Sequence, residues 1–165
     1  MMKEILRSSS EEETRLIGER LGLSMAGGDI IALAGRLGAG KTSLAKGIAR
    51  GLGIKQEDVV SPTYTLIHEM TGTLKLFHVD LYRLKDMDDL ENIGFYDAFD
   101  ESAVTVIEWA DRIPGAIPEP YLMAGLQCVD EQIREISMEP HGARSERLLE
   151  KFVKGIPSHL KRNRT

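Results

Sequence analysis

Gly35-Arg36-Leu37-Gly38-Ala39-Gly40-Lys41-Thr42 fits the phosphate-loop pattern G-x-x-x-x-G-K-[ST]. The apolar run Ile30-Ile31-Ala32-Leu33-Ala34 precedes it, and Ser43-Leu44-Ala45-Lys46-Gly47-Ile48-Ala49 after it reads as helix. Strand, glycine loop and helix in that order are the context the pattern requires. The glycines let the backbone curl until successive N–H groups face one concavity, and the helix adds the positive end of its dipole. Lys41 is then placed to reach the β- and γ-phosphates of a nucleotide, and the Thr42 hydroxyl to hold Mg²⁺. The plainer alternative is a glycine-rich turn joining a strand to a helix. The flanks favour nucleotide binding.

Working outward, 165 residues suit one domain with a single core. With 42% apolar and 28% charged residues, the composition is that of an ordinary soluble globular chain. A net charge of −5 argues against adhesion to nucleic acid over the whole surface and leaves a local basic patch open. The single cysteine, Cys128, cannot form an internal disulfide, which fits a reducing cytosol. Between Gln127 and Val129 it reads as a small packing residue. No apolar run approaches the roughly 20 residues of a membrane span, and the N-terminus lacks the apolar stretch of a secretory signal. A cytoplasmic protein with no membrane association is expected.

Along the chain, Ser10 and Glu13 form a capping-box signature, and Leu16, Ile17 and Leu21 give an apolar stripe at helical spacing. The helix after the glycine loop should run to about Leu52 and stop at Gly53. Gly47 inside it is costly unless that helix packs closely on the sheet. Ser61-Pro62 turns the chain into an extended stretch ending at Met70, and Thr71-Gly72-Thr73 reverses it into a strand over residues 74–80. This predicts an antiparallel hairpin, hence a mixed sheet. Residues 84–99 read as one or two short helices around Gly94, residues 104–107 as a buried strand ending on Glu108-Trp109. A hairpin over residues 122–138 and an amphipathic helix over 145–154 follow. The expected fold is α/β, a phosphate-loop, NTPase-like three-layer arrangement with a mixed, mostly parallel sheet flanked by helices. A single domain is expected over residues 1–155, with a basic C-terminal tail at 156–165 whose Lys161-Arg162-Asn163-Arg164 run reads as solvated.

Nucleotide turnover also needs a carboxylate at a strand end, near Mg²⁺ or an attacking water. Asp80 and Glu108 both occupy such ends, although either alone could be an edge residue meeting solvent. Threonines of the 61–65 loop could sense a γ-phosphate, with Thr65 better read as an ordinary strand residue. Trp109 is suited to stack on a base or to fill a core gap. His78 reads as packing or capping a turn. His68 and His141 have no partners at metal-ligand spacing, so no zinc site is expected. The guanine-reading Asn-Lys-x-Asp string and a strand ending Asp-x-x-Gly are missing, which argues against a GTP switch. A small-molecule kinase shares the loop, yet Arg83, Arg112, Arg134, Arg144 and Arg147 are scattered rather than gathered into a lid.

Gly35–Thr42, Ser61-Pro62-Thr63-Tyr64-Thr65-Leu66, His78-x-Asp80-Leu81-Tyr82-Arg83-Leu84 and Glu108-Trp109 together resemble the TsaE family, known earlier as YjeE. These are bacterial ATPases of tRNA threonylcarbamoyladenosine (t6A) biosynthesis. The first motif is generic to phosphate-loop proteins; the other three together are specific. The resemblance spans roughly residues 9 to 112. It implies an ATPase, weak alone, that works with a TsaB–TsaD complex in which TsaD modifies adenosine 37 of tRNAs reading ANN codons. Contact with tRNA would then be indirect, through the complex. It further implies that Thr42 and Glu108 bind Mg²⁺ and that Lys41, Asp80 and Glu108 are catalytically important. Gly35, Leu37, Gly38, Ala39, Gly40, Lys41, Thr42 and Ser43 would hold ATP or ADP, with Glu11 and Thr14 near the base and Trp109 in the same cluster. Arg36 departs from the acidic residue common at that position. Beyond about Pro114 the likeness fades, apart from Gly142-Ala143-Arg144. A free-standing small-molecule kinase and a nucleotide-binding module without turnover are the competing readings.

Overall fold

The protein is seen in a computed structural model that describes residues 2–59 and 66–162. The 61–65 loop, with its hydroxyls, lies outside the described residues. Strand β1 (Glu4–Ser8), which sequence patterning did not reveal, leads into helix α1 (Glu11–Ser24). Ser10 caps that helix by accepting the Glu13 N–H at 3.1 Å, and Glu13 reaches back to the Ser9 N–H at 2.8 Å. The return bond thus falls one residue earlier than in the usual capping box. Strand β2 (Ile30–Ala34), the glycine loop and helix α2 (Lys41–Gly51) follow. The predicted hairpin is β3 (Ile67–Thr71) and β4 (Lys75–Asp80), and Gly94 separates a short helix α3 (Met87–Asn92) from a 3-10 turn at Phe95–Ala98. Strand β5 (Ala103–Glu108), hairpin β6 (Tyr121–Cys128) and β7 (Arg134–His141), and helix α4 (Ala143–Gly155) complete the order.

Seven strands form one sheet in the order β1-β7-β6-β2-β5-β4-β3. Its centre, β6-β2-β5-β4, is parallel, and the outer pairs are antiparallel. Central strands buried on both faces need apolar side chains in both directions, which is why β2 and β5 read as continuous apolar runs. Ile31, Leu33, Val104 and Val106 face a core shared with α1, α2 and α4. Ile30, Ala32, Val79 and Ile107 face a second core built with α3 and the 3-10 turn. Helices on both faces make three layers.

Gly47 does fit through close packing, but against α1 rather than the sheet. A Cβ there would collide with the Arg15 backbone carbonyl, just as one on Gly18 would meet the Leu44 carbonyl. Small residues on both helices let the two backbones touch, so the entropic cost of glycine in a helix is offset by contact area.

Residues 156–162, the described part of the basic tail, pack against the domain. Ile156 and Leu160 are buried in the core of α1, α2 and α4, and the Arg162 N–H donates to the Ile5 carbonyl at 3.1 Å. Two apolar residues in a basic stretch are enough to dock it, because they close the open edge beside β1.

Candidate functional site

Side chains alternate along a strand. In β4, Leu76 points into the α1–α2–α4 core, so His78 and Asp80 lie on that same face. In β5 the row is Val104, Val106, Glu108. Parallel register sets Asp80 beside Glu108, and the same face carries the start of α2. Alternation and register therefore bring both carboxylates of the sequence analysis to the mouth of the glycine loop.

The loop leaves β2 and enters α2 through Gly38 (φ +79°) and Gly40 (φ +105°), a left-handed backbone that side chains rarely tolerate. Ala39 turns its methyl into the core, so it offers the cleft only its backbone, while Leu37 at the tip is 84% exposed. Lys41 folds back over the loop. Its Nζ donates to the carbonyls of Gly35 at 2.5 Å and Arg36 at 2.8 Å and stands 3.9 Å above the Trp109 ring centroid. Trp109 itself adopts φ +58° and meets Tyr82 with ring centroids 4.8 Å apart. Among the described residues the exposed Arg36 side chain makes no hydrogen bond or ion pair; its backbone carbonyl holds the lysine.

Next in α2, the Thr42 hydroxyl donates to Glu108 Oε1 at 2.9 Å. The other oxygen, Oε2, lies 2.6 Å from His78 Nε2, and both partners are buried. Burial pushes the Glu108 carboxyl upward, but the His78 hydrogen bond and charge, the Thr42 hydroxyl and the Lys41 ammonium outweigh it, leaving a net depression. Asp80 goes the other way. Burial raises it, and neighbouring Glu108 adds to the rise against the opposing Tyr82 N–H, His78 and Lys41. Burial lowers the Lys41 ammonium, opposed by Glu108, Asp111 and Asp80.

Beside this centre, a cleft of about 480 Å³ runs between the start of α1 and the β6–β7 turn. Glu11, Thr14, Gly38, Gly40 and Ser43 line it, together with Gln132 and Arg134. Glu11 accepts from the Ser43 hydroxyl at 3.1 Å, and Thr14 is buried against Ser8. Arg134 spans the turn and reaches the Gly38 carbonyl at 3.3 Å. Sequence reasoning missed it, since only the hairpin register carries it to the loop. His78 corrects the expectation of a packing or turn residue: it sits against Glu108. The signal was present, because two residues before Asp80 on a strand means the same face. Cys128 is corrected as well; it is exposed at the end of β6, its thiol 3.7 Å from the Gly38 carbonyl.

Fold and site together define a three-layer α/β protein with a glycine loop, a retracted lysine and paired strand-end carboxylates at the C-terminal edge of its parallel strands. A family model described as "Threonylcarbamoyl adenosine biosynthesis protein TsaE" matches residues 8–136, and the chain belongs to the TsaE family. It is 38% identical over 131 residues to a tRNA threonylcarbamoyladenosine biosynthesis protein TsaE of Treponema pallidum, covering 79% of this chain and 96% of that one. Against the protein of the same description in Bacillus subtilis it is 38% identical over 147 residues, 88% of this chain and 91% of the relative. The crystal structure of Bacillus subtilis YdiB superposes with a TM-score of 0.78 at 31% identity, covering 93% of this chain and 95% of the other. Among the described residues no helix is long and apolar enough to cross a membrane.

Proposed function

We propose that this chain is a cytoplasmic, Mg²⁺-dependent ATPase subunit of t6A biosynthesis that serves a TsaB–TsaD complex without itself transferring the threonylcarbamoyl group. The observation that carries this reading is the 2.9 Å contact between Thr42 and Glu108 at the first turn of α2, next to Lys41. A hydroxyl and a carboxylate side by side are hard oxygen donors, the set Mg²⁺ prefers. Among the described residues no group of three or more His, Cys, Asp or Glu could hold a metal. The protein's share would thus be small, as suits a cation that also takes phosphate oxygens and water. When bound, Mg²⁺ would neutralise charge developing on the phosphates.

The chain's own residues divide the remaining work. Gly38, Gly40 and the start of α2 offer N–H groups to phosphate oxygens. Lys41 can meet a phosphate by exchanging the Gly35 and Arg36 carbonyls for it. Asp80, at the same level as Glu108 and half-buried, would orient an attacking water. The cleft of Glu11, Thr14, Ser43 and Arg134 would take the nucleoside. Release of phosphate from labelled ATP, measured with and without Mg²⁺ and TsaB–TsaD, tests the proposal. Stimulated turnover that is lost in Glu108→Ala and Asp80→Ala supports it. Label passed to a metabolite without partners, or ATP held without turnover under every condition, overturns it.

A further inference from the structure

The row Leu76–His78–Asp80 faces the core, where an apolar residue would ordinarily follow Leu76. Instead a histidine is buried there, 3% exposed, with Glu108 at 2.6 Å. Taking an imidazole out of water is costly without a hydrogen bond. A carboxylate only accepts, so Nε2 is the protonated nitrogen of the His78 ring.

We propose that His78 is a positioning residue that fixes Glu108 so that a single oxygen is offered toward the cation. Nε2 occupies Oε2. Oε1 is left beside the Thr42 hydroxyl, and the carboxylate cannot rotate to present both oxygens at once. This rests on the Mg²⁺ reading above. Hydrogen bonds to a ligating carboxylate orient it, and losing such a partner typically costs about 10–100-fold in metal affinity.

The test uses Mn²⁺ as the probe, its affinity for the ADP-bound protein being read by electron paramagnetic resonance. His78→Phe, a flat ring without a donor, should weaken Mn²⁺ by about 10–100-fold while leaving ADP binding in the absence of metal unchanged. His78→Gln, whose amide N–H can stand where Nε2 stood, should restore most of that affinity. A folded His78→Phe that binds Mn²⁺ as tightly as the parent overturns the inference. So does a folded His78→Gln as weak as His78→Phe. Should His78→Phe not fold, nitrogen NMR on the parent decides: an Nε2 that stays protonated with Mg²⁺ and ADP supports the role, and an unprotonated Nε2 overturns it. If the parent itself binds ADP with no dependence on Mg²⁺ or Mn²⁺, the functional reading falls. If the parent depends on the metal and a folded His78→Phe keeps the parent's Mn²⁺ affinity, that reading stands and this inference alone fails.

Discussion

The Lys41 ammonium lies 3.9 Å from the centre of the Trp109 ring while it is held by two carbonyls of its own loop. Trp109 accepts a left-handed backbone, φ +58°, to be there. A left-handed residue costs about 1–2 kcal/mol, and a desolvated cation–π contact returns about the same. Strain at one residue is thus balanced by attraction at its neighbour.

Trp109→Ala should therefore destabilise the fold by about 0.5–2 kcal/mol, because the backbone strain stays while the ring is lost. Trp109→Phe should lose less. Urea unfolding followed by circular dichroism separates the two; equal stability of all three proteins would show that the contact contributes nothing.

At the helix crossing, Gly47→Ala sets helix propensity against sterics. Alanine gains about 1 kcal/mol over glycine within an exposed helix, but overpacking against the Arg15 carbonyl costs about 1–3 kcal/mol. The expected net effect is destabilisation. Gly155→Ala at the end of α4 is the control, since a Cβ there meets nothing within 4 Å, and it should be neutral or stabilising. Denaturant midpoints for the pair check the signs.

The two carboxylates should shift in opposite directions on folding. Asp80 is raised in the folded protein, mainly by burial, so stability is lost as pH rises from the ordinary aspartate value through the raised one, and the cost is complete above it. Asp80→Asn should then be more stable than the parent near neutral pH, with the advantage disappearing as pH falls below the folded Asp80 value. Glu108 is lowered, so its stabilisation is present above the unfolded glutamate value and vanishes as pH falls through the folded one. Carboxyl NMR should find Asp80 taking up its proton at a higher pH, and Glu108 at a lower pH, in the folded protein than in the unfolded chain.

Leu160→Ala should cost about 2–5 kcal/mol, since the side chain is fully buried in the core below α4. Arg162→Ala, an exposed partner of Glu135, should stay within about 1 kcal/mol. Thermal unfolding of both variants distinguishes a docked segment from a solvated tail.

The order strand–glycine loop–helix, the antiparallel hairpin before β5 and the carboxylates at two strand ends were legible from sequence. Each rests on local rules: alternation, turn chemistry and a motif whose spacing fixes its own geometry. Strand β1 was not legible, because an edge strand of five residues with Glu4 and Arg7 around the adjacent Ile5 and Leu6 shows no clear apolar period. Nor was the docking of residues 156–162, which depends on a surface made by distant elements. Sequence alone determined the phosphate cradle and the family likeness; tertiary structure decided who touches whom around it. His78 meets Glu108 across 30 residues and Arg134 meets Gly38 across 96. Contacts of that kind are set by strand order and register, which depend on the packing of the whole sheet rather than on the residues that form them.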